Sequence, residues 1–399
     1  MKTLPFKFGP ILLPKEGIDM DKWAVVACDQ YTSQPEYWKE LEKHVEGHPS
    51  TLNIIYPEVY LEEENPQKRI EDIISNMNEC VSEGLFQEIE NGLILIERTY
   101  PNGIKRKGLT MLVDLTQYSF KPEDKALIRA TEGTVIERIP PRVEIRKNCP
   151  LELPHILVLI DDEKKTVIEP LFKNLAKHKL VYDSKLNMNG GHIKGWNVAK
   201  EKFEDKIENA LIKLLKKSVK KYGEEFLFAV GDGNHSLATA KACYDESNPL
   251  SKYALVEIEN IYDEGIIFEP IHRVVFVENK ELFIEKLKGI GGTDTAKLFV
   301  GDKIEEINLP KNAIEGVDKV QVLIDEYLKE HGGKVDYIHG ENDLKEICAK
   351  ENGIGIVLKS MQKDELFEFV VKNGVLPRKT FSMGEANEKR YYIEARKIK

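Results

Sequence analysis

No apolar run in the chain approaches the roughly 20 residues that span a bilayer. The opening Met1-Lys2-Thr3-Leu4-Pro5-Phe6-Lys7 has neither a long apolar stretch nor a small-residue cleavage site. The expectation is therefore a soluble, cytoplasmic protein without a membrane partner. Cysteine is scarce as well. Cys28, Cys80, Cys149, Cys243 and Cys348 are odd in number and far apart, with no Cys-x-x-Cys and no Cys/His cluster. That spacing argues against a zinc site and against a disulfide framework, and the thiols are expected to be small buried hydrophobes. Basic charge is in deficit too, since 58 Lys and Arg face 68 Asp and Glu for a net charge of -10. A broad nucleic-acid surface needs basic residues to displace counterions and is not expected. The chain also lacks an internal repeat and a low-complexity linker.

What is present is a globular composition, 399 residues with 41% hydrophobic and 32% charged, enough for two or three domains and a sizeable core. Residues 22–28 read as a buried strand, followed by a loop in which Asp29 and Tyr31 occupy the place where α/β folds often hold ligands. Helices are expected over 36–44 and about 66–84. Apolar, β-branched runs at 93–99 and 107–115 flank Tyr100-Pro101-Asn102-Gly103, a hairpin signal. Residues 126–148 are basic and irregular, with Pro140-Pro141 as a breaker. A strand at 155–161 and a second hairpin around Asn189-Gly190-Gly191 follow. Over 200–222 runs a helix whose lysines read as a solvated face. Next come a short strand at 226–230, a glycine turn, a helix from Ser236, and strands at 253–258 and 265–277. Beyond 278, helical patterns at 280–288, 318–331, 342–351 and 362–373 alternate with short apolar runs. The expected class is α/β (α+β), with a first domain over 1–277 and a smaller α/β domain over 278–399.

One stretch is sharply chemical. In Gly231-Asp232-Gly233-Asn234-His235-Ser236 a buried strand meets a glycine turn and a helix follows at once. Glycines permit positive φ and close approach of the backbone to a ligand. The first amides of a helix have no internal partner and the dipole is positive there, so a phosphate fits. His235 adds a donor or a charge. Asp232 suits a hydroxyl or a metal-bound water better than a bare phosphate. The bland alternative is an Asp-Gly turn whose helix is capped by Asn234 or Ser236.

The strand–Asp-Gly-Asn-His–helix segment resembles the Asp-Gly-His-His-Arg signature of the family known as domain of unknown function 1015. Further blocks match in order over nearly the whole chain. Ala130-Thr131-Glu132-Gly133-Thr134 resembles the family's His-Glu-x-Thr block, with Arg138 and Arg142 downstream. Trp196 matches a hairpin Trp, and Pro270-Ile271-His272-Arg273-Val274-Val275 resembles a Pro-x-His-Arg-Val-Val strand. Leu376-Pro377-Arg378-Lys379-Thr380-Phe381 resembles a terminal Met-Pro-Pro-Lys-Ser-Thr motif. The family in turn resembles the ParB/sulfiredoxin superfamily and its free-serine kinases.

That resemblance implies a ParB/sulfiredoxin-like mixed-sheet core with an N-terminal elaboration. It also implies a nucleotide-dependent phosphotransferase acting on a small hydroxylated metabolite, binding ADP or ATP and Mg2+. By the same resemblance His235 and the turn at Gly231, Gly233, Asn234 and Ser236 would hold phosphate. Glu132 would be the base and Asp232 a catalytic partner, while Arg129, Arg138, Arg142, His272, Arg273 and Lys379 would supply charge, the terminal motif folding back onto the site. The sequence departs from the signature at Asn234, at Ser236 in place of the Arg, and at Thr131 in place of the block's His, so a bidentate phosphate donor is missing from the turn. Sulfiredoxin activity is excluded because its reactive Cys is here Asn234. Two other readings stay open: a non-catalytic nucleotide or phosphometabolite sensor, and a ParB-like DNA-binding protein, the latter disfavoured by charge.

Overall fold

Side-chain alternation in the strands of the first half sets up two apolar faces. In Ile94–Thr99, Leu95 belongs to a cluster with Met111, Val158 and Val256, whereas Ile94 and Ile96 belong to another with Leu112 and Leu255. This is the period-two pattern of a sheet covered on both sides. The computed structural model describes residues 3–61, 63, 65–133 and 139–399, with only the backbone for 139–141. Among these residues the sheet runs in the order Lys179–Leu186, Gly191–Asn197, Ile94–Thr99, Lys105–Asp114, Tyr253–Asn260, Leu157–Ile160, Phe228–Asp232, Ile128–Ala130 and Tyr118–Ser119. It is mixed. Leu157–Ile160 runs parallel to Tyr253–Asn260 and antiparallel to Phe228–Asp232, which in turn runs parallel to Ile128–Ala130.

Helix Lys200–Tyr222 covers one face by burying Phe203, Ile207, Leu211 and Leu214, a 3.6-residue stripe with the lysines outward. It stops at Gly223, which takes φ +80° and returns its amide to the Val219 carbonyl, the left-handed cap that glycine alone adopts without strain. The other face is covered by Pro35–Val45, through Trp38 and Leu41, and by the chain's last residues, through Tyr391, Tyr392 and Ile393.

The chain divides into two compact units, Met1–Ile266 with Glu385–Lys399, and Ile267–Gly384. The division differs from the expected 277/278 boundary for two reasons. Among the described residues, strand Phe268–Phe276 pairs only within the second unit, with Lys334–His339, Ile354–Ile356 and Phe381–Met383. The last fifteen residues return to the first unit, where Tyr391–Tyr392 pairs with Val25–Val26 and Arg396–Lys397 with Leu151–Glu152. The second unit is a smaller antiparallel sheet with helices such as Lys280–Lys288 and Ala313–His331, packed around Val275, Phe283, Leu298 and Ile324. Among the described residues no helix is long and apolar enough to cross a membrane.

Two local expectations are corrected. Residues 22–28 are not one strand. Asp19 accepts from the Asp21 amide and starts a short helix, Met20–Trp23, before the two-residue strand Val25–Val26. Pro140-Pro141 does not break structure, because helix Ile139–Asn148 contains both prolines in its first turn. There a missing N–H is one of the orphans anyway.

Beneath the returning C-terminal segment the sheet face is polar although fully buried. Arg390 donates from Nε to Glu257 Oε2 (2.8 Å), from Nη2 to Glu394 Oε2 (2.8 Å) and from Nη1 to the Pro154 carbonyl. Tyr182 donates to Glu394 Oε1 (2.7 Å), and Arg106 Nε lies 2.6 Å from Glu259 Oε1. Burial, reinforced by Glu257 and Asp263 and opposed by Arg106, pushes the Glu259 carboxyl well above its usual range. Removing one partner of such a group strands an uncompensated charge. Arg390→Ala is therefore expected to destabilise the protein by about 3–5 kcal/mol, measured by urea unfolding. A loss within experimental error of zero would show that the segment is held by its apolar contacts alone.

Candidate functional site

The glycine turn lies at the C-terminal end of Phe228–Asp232. Strand pairing brings two other segments to that end: the exit of the parallel strand Ile128–Ala130, leading into Thr131 and Glu132, and the entry of the antiparallel strand Leu157–Ile160, preceded by His155 and Ile156. Gly233 takes φ +79°, and a Cβ there would sit 3.0 Å from Ile156 Cγ1. Both the dihedral and the crowding select glycine. Helix Asn234–Ala242 starts at once, with Gly233 as its N-cap and no side-chain cap hydrogen bond.

Both residues that could have capped the helix are used elsewhere. Asn234 Oδ1 accepts from the Thr131 amide (3.1 Å), and Thr131 Oγ1 donates to the Val230 carbonyl (2.6 Å). These two bonds lock the end of one strand to the other and place Glu132, half-buried, at the flank of the turn. Ser236 Oγ is hydrogen-bonded to His155 Nε2 (3.0 Å), whose Nδ1 meets the Tyr392 hydroxyl (2.7 Å). The Cys28 amide donates to that same hydroxyl (3.2 Å). His235 is half-buried in the first helical turn, and its carbonyl accepts from Thr239 Oγ1 (2.8 Å).

Asp232 accepts from the Gly233 amide at Oδ1 (3.0 Å) and faces Lys389 Nζ at Oδ2 (3.1 Å). Burial pushes its carboxyl up, but Lys389, His155 and the Gly233 amide outweigh that and hold it below the usual range. The result is a fixed carboxylate–ammonium pair beside an uncapped helix start. A helix start of this kind favours an anion.

A family model described as "Protein of unknown function (DUF1015)" matches residues 12–396. The chain belongs to that family. No curated protein matches the sequence. Among solved structures, a conserved hypothetical protein from Pyrococcus furiosus shares 13% identity at a TM-score of 0.36, covering 71% of this chain and 90% of its own. A free serine kinase in complex with AMP shares 14% at 0.39, covering 73% and 91%. SbnI from Staphylococcus aureus with a C-terminal truncation shares 13% at 0.38, covering 69% and 82%. Likenesses of this size say nothing of what this member of the family binds.

Of the residues expected at the site, the structure brings together Gly231, Asp232, Gly233, Asn234, His235, Ser236 and Glu132. Several others have different tasks. Arg129 is buried, with Nη1 on Glu224 Oε1 (2.6 Å), Nε on the Ala126 carbonyl (2.9 Å), Nη2 on the Glu225 carbonyl (3.3 Å) and its plane over Phe226. Its charge is consumed by Glu224 rather than offered to a phosphate. Arg142 pairs with Glu58, and both line a cavity beside the turn together with Ser236 and His155. Arg138 lies outside the described residues.

His272, Arg273 and Lys379 belong to the second unit. Arg273 is fully buried and donates to Gln321 Oε1 and to the carbonyls of Ile271, Arg378 and Lys379. His272 Nδ1 accepts from the Leu358 amide, and burial lowers its pKa to about 4. It is neutral at physiological pH and does not carry the positive charge expected of it.

The residues that sequence reasoning missed are Lys389, His155 and Tyr392. Lys389 meets Asp232 across 157 positions and Tyr392 meets His155 across 237. No local periodicity could have paired them. A double-mutant cycle tests the Asp232–Lys389 pair. Asp232→Asn and Lys389→Met should show a coupling of about 1.5–3 kcal/mol at pH 7, the range for hydrogen bonds to charged groups. Because the folded pKa of Asp232 is depressed, this contribution is present above the ordinary value of 3.8 and is lost as pH falls through the lower folded value. Strict additivity at pH 7 would contradict the pairing.

Proposed function

We propose that this protein is a nucleotide-dependent phosphotransferase acting on a small hydroxylated metabolite, of the serine-kinase type, on a ParB/sulfiredoxin-like core. The observation that carries the reading is the uncapped helix start at Gly233, whose two potential side-chain caps are spent on the flanking strands. With the Gly233 amide held by Asp232, the 234–236 amides and the helix dipole receive the polyphosphate of ATP. His235 and the Lys389 ammonium add donors, Lys389 standing in for the signature arginine that is Ser236 in this chain.

Glu132, at the exit of the neighbouring strand, takes the proton of the substrate hydroxyl. A bond then forms from that oxygen to the terminal phosphorus, the bond to the bridging oxygen breaks, and ADP leaves with the electron pair. Among the described residues there is no cluster of three metal-ligating side chains. Mg2+ carried on the polyphosphate would have Glu132 or Asp232 as the protein's oxygen donor and would neutralise phosphate charge.

The loss of the signature arginine favours a second reading, a nucleotide or phosphometabolite sensor that binds without turnover. ATP or ADP at millimolar concentration is expected to raise the melting temperature, since a ligand of the native state stabilises it. A panel of hydroxylated amino acids and sugars is expected to give ADP release with at least one member. Glu132→Gln should lower that turnover by about 10²–10⁴-fold and keep the thermal shift. Binding without turnover across the panel would favour the sensor, and no shift with either nucleotide would overturn both readings.

A further inference from the structure

Beside the turn, on the flank of Leu157–Ile160, the first unit contains a cavity of about 190 Å3. Ser236 and Thr239 of the turn helix both line it, as residues three apart on one helical face do. His155 lines it as well, so the Ser236–His155–Tyr392 chain forms one of its walls. Ile73, Met77 and Ile145 contribute apolar wall, and the charged residues on the lining stand as two ion pairs, Arg142 with Glu58 and Arg146 with Glu152.

We infer that this cavity takes the heterocyclic base of the nucleotide whose phosphates rest on the 234–236 amides; the inference depends on the phosphotransferase reading. Sheet order carries the argument. Phe228–Asp232 lies between Ile128–Ala130 and Leu157–Ile160. Asn234 is tied toward the first of these and Ser236 toward the second. Glu132 therefore stands at the exit of one neighbour of the turn strand, and His155, on the cavity wall, at the entry of the other. An elongated ligand lying across the turn has one end at an apolar cavity and the other at a carboxylate. A nucleoside triphosphate matches that polarity in one direction only, with the base in the cavity and the terminal phosphate toward Glu132. The reverse direction would place polyphosphate against Ile73, Met77 and Ile145 and beside the Glu58 and Glu152 carboxylates that hold Arg142 and Arg146, a costly desolvation with like charges close by.

Size agrees. Pockets that enclose a whole drug-sized ligand measure roughly 300–1,000 Å3, so this one holds a single ring system and leaves ribose and phosphates outside. The Cys28 thiol also lines the cavity, and burial, with Asp29 and Glu58, pushes it well above its ordinary pKa. It meets a ligand as a neutral, weakly polar group.

Ile145 is half-buried on helix Ile139–Asn148, so Ile145→Trp fills the cavity from a side with room to adjust. In the full-length protein this variant should weaken ADP at least tenfold by titration calorimetry while leaving the affinity for inorganic tripolyphosphate unchanged. In the wild type, adenosine alone should compete with ADP. The competition keeps the test open should Ile145→Trp fail to fold. Undiminished ADP binding by the folded variant, or adenosine that does not compete, would overturn the placement of the base. Tripolyphosphate that binds as tightly as ATP would overturn it too while sparing the phosphate site. Failure of both ADP and tripolyphosphate to bind would overturn the phosphotransferase reading and this inference together.

Discussion

Arg390 is 3% exposed, and its guanidinium holds two carboxylates, Glu257 from the sheet and Glu394 from its own segment, together with the carbonyl of Pro154. Three charges taken out of water are expensive unless every donor finds an acceptor. Here the directed bonds allow only one register for the chain's last fifteen residues. Tyr182 reinforces it from the far hairpin through Glu394, and the Arg390 carbonyl accepts from the Ala27 amide. Apolar contacts alone would let the segment slide, whereas a guanidinium with three fixed partners does not.

That register positions the site. With Arg390 fixed, the preceding residue puts Lys389 on Asp232, and Tyr392 reaches the His155 ring that meets Ser236. The turn is thus braced from three directions: by Asn234 to the strand carrying Glu132, by Ser236 to the strand entered at His155, and by Asp232 to the returning C-terminus. Asn234 and Ser236 thereby leave the helix-start amides without a side-chain cap, while Asp232 takes the Gly233 amide on one oxygen and Lys389 on the other. A polar site built on rigid strand ends and fixed by such secondary bonds is arranged before any ligand arrives, which is what electrostatic stabilisation of a transferring phosphoryl group requires.

The sequence was most legible where local rules decide. Asn102-Gly103 marks the first hairpin, the apolar stripe from Phe203 to Leu214 marks the long helix, and Gly223 ends it. The glycine turn was legible for the same reason, as was its family. Charge was less legible. Arg129 in sequence looks like a phosphate ligand beside Glu132, but its partner Glu224 lies 95 positions away. His272-Arg273 looks like a basic patch, yet it is a buried node of the second unit that ties carbonyls to a central strand. Conversely, Lys389 sits in an unremarked terminal stretch and becomes the cation nearest Asp232 only through a fold-wide closure. A residue's formal charge can be read from the chain, but the partner that consumes it cannot.

The account's central claim is that the helix-start amides at 234–236 are a phosphate site, and amide NMR tests it most directly. Titrating deuterated, ¹⁵N-labelled protein with ADP should shift the Asn234, His235 and Ser236 amide resonances furthest, along one saturation curve. ADP binding that leaves those three resonances in place while shifting others would contradict it.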